Sequence, residues 1–327
     1  MMNRFPEAPL IALLMAATWA LPVGAATYTW NLPESETEGV IGDSSLWHDT
    51  TGVTGTIPGT SDLAVVKSSG TMLIGGTIEN PAPSPWTSSS SYANSFYIGE
   101  TGGSGYPSAG SEGHVEQSGE DVWFRAYFIL GHISPGTSTY TMTGGSLNQR
   151  SNGTQFRVGE LATATFDASG SSALNVRDVH VGYNVTASAG TNGTLDLRDD
   201  SVMSVFGNYF WIANGANSVN SPYIAKGTVN LHDDAGIDLH TGSGRLYVGY
   251  LNRSDAELNL YNNSWITSAG GRLFIGDAND NGGAYNAGPG GVGRVTVADN
   301  ASITLDNPTD GLRVGNGNTG NGTLTIG

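Results

Sequence analysis

The chain has 327 residues, 48 of them Gly and none Cys, and 29 Asp+Glu against 13 Lys+Arg give it a net charge of −16. Without cysteine there is no disulfide framework and no thiol chemistry, so stability must come from backbone ladders and packing. The negative charge repels nucleic-acid phosphate and anionic lipid, which argues against both as partners, and the glycine lacks the three-residue period of collagen.

At the N-terminus Arg4 precedes the apolar run Leu10–Leu21, followed by the small residues Gly24, Ala25 and Ala26. That order is the signature of a secretory signal peptide, and the apolar run is too short to span a bilayer. Residues 1–26 are therefore expected to direct export, with periplasmic transit and an extracellular or outer-surface destination; no transmembrane helix is expected. Residues 27–70, with Trp30, Trp47 and the turn Pro58-Gly59-Thr60-Ser61-Asp62, read as an N-terminal cap with first strands. Residues 80–94, with Pro81, Pro83, Pro85 and the run Ser88–Ser91, read as a polar surface insertion.

From residue 71 to 327 the chain repeats. An apolar–any–apolar–small motif recurs as Phe96-Tyr97-Ile98-Gly99, Phe128-Ile129-Leu130-Gly131, Phe156-Arg157-Val158-Gly159 and Val179-His180-Val181-Gly182. It continues as Phe210-Trp211-Ile212-Ala213, Leu246-Tyr247-Val248-Gly249, Leu273-Phe274-Ile275-Gly276 and Leu312-Arg313-Val314-Gly315, a mean period of about 31 residues. Each unit adds two alternating runs, such as Leu195-Asp196-Leu197 and Met203-Ser204-Val205. Alternation at period two marks half-buried strands, and three short strands per unit predict an all-β parallel β-helix, a solenoid of expected right-handed coil.

The closing Val314-Gly315-Asn316-Gly317-Asn318-Thr319-Gly320-Asn321-Gly322-Thr323-Leu324-Thr325-Ile326-Gly327 and the opening Tyr28-Thr29-Trp30-Asn31 carry a resemblance. They resemble the repeat arrays of autotransporter-associated β-strand proteins and related passenger-like exported proteins of Gram-negative bacteria. The resemblance implies a secreted or cell-surface structural or adhesive rod. Such proteins usually close with an outer-membrane barrel or a sorting anchor, whereas this sequence stops within a repeat. A monomeric rod, or one stretch of a longer chain, is the expectation.

Several residues invite chemistry. Asp199-Asp200 and Asp233-Asp234 suggest paired carboxylates, but aligned units place Asn262-Asn263, Asp299-Asn300 and Gly144-Gly145 at the same positions. Asp, Asn and Gly share tolerance of left-handed backbone, so these read as a column of turns. Asp277-Ala278-Asn279-Asp280-Asn281-Gly282 matches the first half of a calcium loop, with Asp277, Asn279 and Asn281 as its candidate ligands. Its twelfth position is Gly288 rather than Glu, so an Asx-rich loop is the preferred reading and no cofactor is expected.

The middle residue of the recurring motif points away from the core. Tyr97, Ile129, Arg157, His180, Trp211, Tyr247, Phe274 and Arg313 should then form an outward stripe suited to sugar rings or another cell surface. A self-stacking ladder that only stiffens the rod, or a stripe covered by insertion loops or a partner, is the reading preferred over such contact. A polysaccharide lyase or glycoside hydrolase on the same fold is the alternative function. The six histidines lack metal-ligand spacing, and no nucleophile elbow or metalloprotease motif is present.

Overall fold

In the computed structural model the described residues are 26–30, 38–48, 54–66, 71–75, 88, 91–100, 112–133, 136–150, 154–184, 191–215, 223–240, 244–251, 253–269, 271–277, 290–306, 311–316 and 319–327. The recurring motif forms the strands of one face. Thr27–Trp30, Leu63–Val66, Ser95–Glu100, Tyr127–Ile133, Gln155–Glu160, Asp178–Tyr183, Tyr209–Asn214, Arg245–Tyr250, Arg272–Asp277 and Leu312–Asn316 follow one another, each parallel to the last. The second face carries strands such as Thr191–Leu197, Ala225–Leu231 and Ser254–Leu260, and the third Val202–Val205, Gly236–Leu239 and Trp265–Ser268. Among the described residues, each coil from Ser95–Glu100 to Arg272–Asp277 thus contributes to all three faces. The chain is a parallel β-solenoid, about 43 Å long on its first face at the usual strand spacing.

Alternation decides what lies inside. Phe96, Ile98, Phe128, Leu130, Phe156, Val158, Leu195, Leu197, Met203 and Val205 all belong to one buried core running along the axis. Phe128 stacks on Phe156 at 4.8 Å and Tyr140 on Phe166 at 4.9 Å, so successive coils meet ring to ring. Tyr140 brings a hydroxyl into this core. Its hydroxyl donates to Gln117 Oε1 at 2.6 Å, and Gln117 Nε2 donates to the carbonyls of Glu120 and Ser146. The Tyr140 hydroxyl and the Gln117 amide thus both find partners, which removes most of the cost of burying them.

The corner between the second and third faces is nearly fixed in length. Eleven residues separate Thr191 from Val202, Ala225 from Gly236 and Ser254 from Trp265, all in register. In Thr137–Gln149 this passage is one residue shorter, and a single strand runs through both faces. The corner after the first face varies instead: Val179 to Thr191, Phe210 to Ala225 and Leu246 to Ser254 span 12, 15 and 8 residues.

At the first coil Trp47–His48 folds back antiparallel on Thr27–Trp30, covering an edge that would otherwise template further strands. Trp30 and Trp47 are fully buried, and Trp47 Nε1 donates to the Ile41 carbonyl at 2.9 Å. Asp62 ties this region down by accepting from the Ala26 and Gly59 amides. Most of the expected insertion 80–94 lies outside the described residues. Ala93, however, is buried and bridges Phe124, so the end of that stretch belongs to a coil rather than to a surface loop. Among the described residues no helix is long and apolar enough to cross a membrane.

Candidate functional site

The fourth residue of the recurring motif shapes the outer side of the first face. Gly159, Gly182, Gly249 and Gly276 have φ of +73°, +75°, +79° and +67°, and Ala213 adopts +54°. In an unbroken pleat, residues three apart point to opposite sides. The left-handed residue turns the next side chain back outward, so Glu160, Tyr183, Asn214, Tyr250 and Asp277 stand beside the stripe. Three contacts show it: Arg157 with Glu160, the His180 and Tyr183 rings at 4.4 Å, and the Tyr247 and Tyr250 rings at 4.7 Å. On the other flank stand Tyr127, Gln155, Asp178, Tyr209, Arg245 and Arg272. The face therefore has three outward columns, where strict alternation gives two, the middle residue of the motif and the residue two before it.

The middle column is the stripe expected from sequence, and it does point away from the core. It is not open along its length. Ile129, His180, Tyr247 and Phe274 are 2%, 2%, 6% and 5% exposed, while Tyr97, Arg157, Trp211 and Arg313 are half-buried. Members stack on one another: His180 on Trp211 at 4.3 Å, Trp211 on Tyr247 at 6.3 Å, and Tyr247 on Phe274 at 4.7 Å and 8°. The Arg313 guanidinium then lies 5.6 Å over the Phe274 ring. Tyr97 lies near His132, 5.3 Å away ring to ring. Half-exposed Tyr127, Tyr183, Tyr209, Tyr250, Arg245 and Arg272 form the margins that a ligand would meet.

Arg157 is the most elaborately held member. Its guanidinium sits between the rings of Tyr127 and Tyr183, at 5.3 and 4.4 Å. Nε donates to Gln155 Oε1 at 2.8 Å, and Nη1 to Glu160 Oε1. Glu160 Oε2 lies 3.1 Å from His132 Nδ1. Burial pushes the Glu160 carboxyl upward, but hydrogen bonds and charge from His132 and Arg157 outweigh it and hold the group below its ordinary range. Sequence reading missed Glu160, His132 and Tyr183, because their placement depends on the left-handed residue.

His180 lies deeper. Burial first, and the Arg157 charge second, drive its pKa well below the ordinary histidine value, so the ring is neutral. Asn214 Nδ2 is 3.4 Å from His180 Nδ1, while His180 Nε2, Trp211 Nε1 and Asn214 Oδ1 are buried without a hydrogen-bond partner. Tyr250 is pushed up to about 12, chiefly by burial.

The acidic pairs are turns. Asp199, Asp233, Asn262 and Asp299 have φ between +57° and +60°, and Gly170 and Gly145 take the left-handed place in neighbouring coils. In the shorter passage of Thr137–Gln149 it is the second residue of Gly144-Gly145 that does so. Side chains then link coil to coil. Asp199 Oδ2 accepts from the Gly170 amide, Asn262 Nδ2 donates to Asp233 Oδ1, and Asn263 Nδ2 donates to Asp234 Oδ1. Of the calcium-loop candidates, Asp277 is buried beside the stripe at 4% exposure, whereas Asn279 and Asn281 lie outside the described residues. Among the described residues, no three His, Asp or Glu side chains are grouped to hold a metal ion.

Compared with known proteins, the chain matches no family model, no curated protein and no solved structure.

Proposed function

We propose that the protein is an exported structural and adhesive rod that meets polysaccharide or another cell surface through the outer side of its first face. The observation that carries this reading is the outer stack from His180 through Trp211, Tyr247 and Phe274 to Arg313, joined to Arg157 through the Tyr183 ring. Tyrosine and arginine margins on a stiff, flat base suit repeated weak contacts, because little side-chain freedom remains to be lost on binding. The resemblance to passenger-like exported proteins supports the same reading.

Arg157, Glu160 and His132 favour one second reading, a carbohydrate-active enzyme, because an acid, a base and a cation converge there. Polysaccharide cleavage followed by new reducing ends separates the two. The rod reading expects no turnover, and cleavage abolished by Glu160→Gln would overturn it. For adhesion, the double variant Tyr183→Ala, Tyr250→Ala is expected to weaken binding to whole cells or immobilised polysaccharide at least tenfold while remaining folded. Unchanged binding removes the first face from the proposal.

A further inference from the structure

The outer side of the third face holds an aromatic residue that the stripe does not include. Trp265 opens the strand Trp265–Ser268 and pairs in register with Gly236 of the preceding coil. A Cβ at Gly236 would lie 2.1, 2.2 and 2.6 Å from Trp265 Cε2, Cζ2 and Cδ2. The six-membered ring of the indole therefore covers the glycine, lying on the sheet instead of standing up from it. Gly236 has no left-handed backbone to explain it. A glycine inside a strand weakens it, and what it gains here is room for the ring.

Polar groups border the ring on both sides. Toward the turn run Asp234, Asn263 and Asn300, with Asn263 donating to Asp234 at 2.9 Å and Asn300 to Asn263 at 3.3 Å. One strand repeat further along the same side, Thr267 Oγ1 donates to Asp238 Oδ1 at 3.1 Å, and His240 Nε2 lies 3.3 Å from Asp238 Oδ2. Residues two apart on a strand are separated by about 6.6 Å, so Thr267 and Asp238 reach a ring-sized ligand seated on the indole, with the turn residue Asn263 two positions before Trp265 on its other side. Asp238 is 32% and His240 53% exposed, which leaves both free to meet solvent or ligand.

A flat apolar platform with planar amides on one side and a carboxylate on the other is complementary to a pyranose ring. Its C–H face stacks on the indole, and its equatorial hydroxyls reach the amides and the carboxylate. The carboxylates here, and the net charge of −16, select against acidic sugars. We propose that Trp265, seated on Gly236, is the platform of a subsite for a neutral glycan, with Asp238, Thr267 and Asn263 as its hydrogen-bonding border. The proposal deepens the adhesive reading but stands on a different face of the rod.

The test is titration of the full chain with cellohexaose, and with a galacturonate hexamer as the acidic control, by calorimetry and by tryptophan fluorescence. The expected result is binding of the neutral oligosaccharide, at least tenfold tighter than the acidic one. Trp265→Ala should weaken it at least tenfold, and Gly236→Ala, which lifts the ring, at least threefold, both with wild-type circular dichroism. Where Trp265→Ala fails to fold, Asp238→Asn and Asn263→Ala serve instead, each expected to weaken binding. No binding of cellohexaose, or binding unchanged in folded Trp265→Ala, overturns the subsite. Binding that survives Trp265→Ala but falls in Tyr183→Ala, Tyr250→Ala would sink the subsite and leave the first-face reading standing.

Discussion

His180 is a titratable ring enclosed between aromatic neighbours, with one nitrogen buried and unpartnered. Its pKa is depressed by burial and then by Arg157, whereas in the unfolded chain it returns to the ordinary histidine value. The unfolded state therefore binds the extra proton first as pH falls below about 6.5, and stability drops with it. We predict that the urea midpoint of the wild type falls between pH 7 and 5, and that His180→Phe, which keeps a ring in the stack, flattens that slope. An equal slope in both proteins would assign the pH dependence elsewhere. Individual residues were unequally legible in the sequence. Asp199, Asp233, Asn262 and Asp299 could be read as turns because Asp, Asn and Gly interchange only where the backbone is left-handed. Trp265 carried no such signal, since the glycine beneath it lies 29 residues earlier and their contact exists only once the coils register.

Among the elements, the strand Gln155–Glu160 concentrates charge on its outer side. Arg157 and Glu160 are 13% and 10% exposed by side chain, so removing Arg157 leaves the Glu160 carboxylate buried with His132 as its remaining partner. With Arg157 present, the Glu160 pKa is lowered, so its stabilising effect is full above the ordinary carboxylate range and fades as pH falls through the lowered value. In Arg157→Met the Arg157 contribution is gone and burial carries more weight, so the carboxyl should rise. The variant is expected to lose about 3 kcal/mol at pH 7 and to recover part of that loss toward pH 4, where the wild type declines. Chemical denaturation across that range checks the crossing. The period of the strands was plain in the sequence, because core residues such as Phe156 and Val158 alternate strictly. The side on which Glu160 and Tyr183 emerge was not, because one left-handed glycine inverts the count after it. The stripe is less open than an outward position alone would make it, because flat rings one strand spacing apart cover each other, as Tyr247 and Phe274 do.

For the whole molecule, each coil touches mainly its neighbours, so a coil should be removable as a unit. Deleting residues 191–224 joins the chain at Ala225, the register partner of Thr191. The product is expected to stay folded, with the β-sheet signal kept and the rod shortened by roughly 5 Å in small-angle scattering. Deleting Asp196 alone should do more damage, because it turns Leu197, the last residue of its strand, from core to solvent and shifts the turn that follows. If the single deletion is tolerated and the coil deletion unfolds the chain, nearest-neighbour stability is the wrong description. The solenoid itself was the most legible feature, since a period of about 31 with three alternating runs leaves few other ways to bury one apolar row.

The two kinds of corner give the rod an asymmetry of a different sort. One long edge is held at eleven residues per passage and stitched by Asp and Asn, so it admits little change in length. The edge after the first face already accommodates 8, 12 and 15 residues between strands that stay in register. New sequence can accumulate on that margin without moving any strand, much as text can be added in the margin of a printed page. A lineage of such chains would be expected to diversify there first, and a peptide grafted between Gly215 and Tyr223 would be displayed at a set height along the rod.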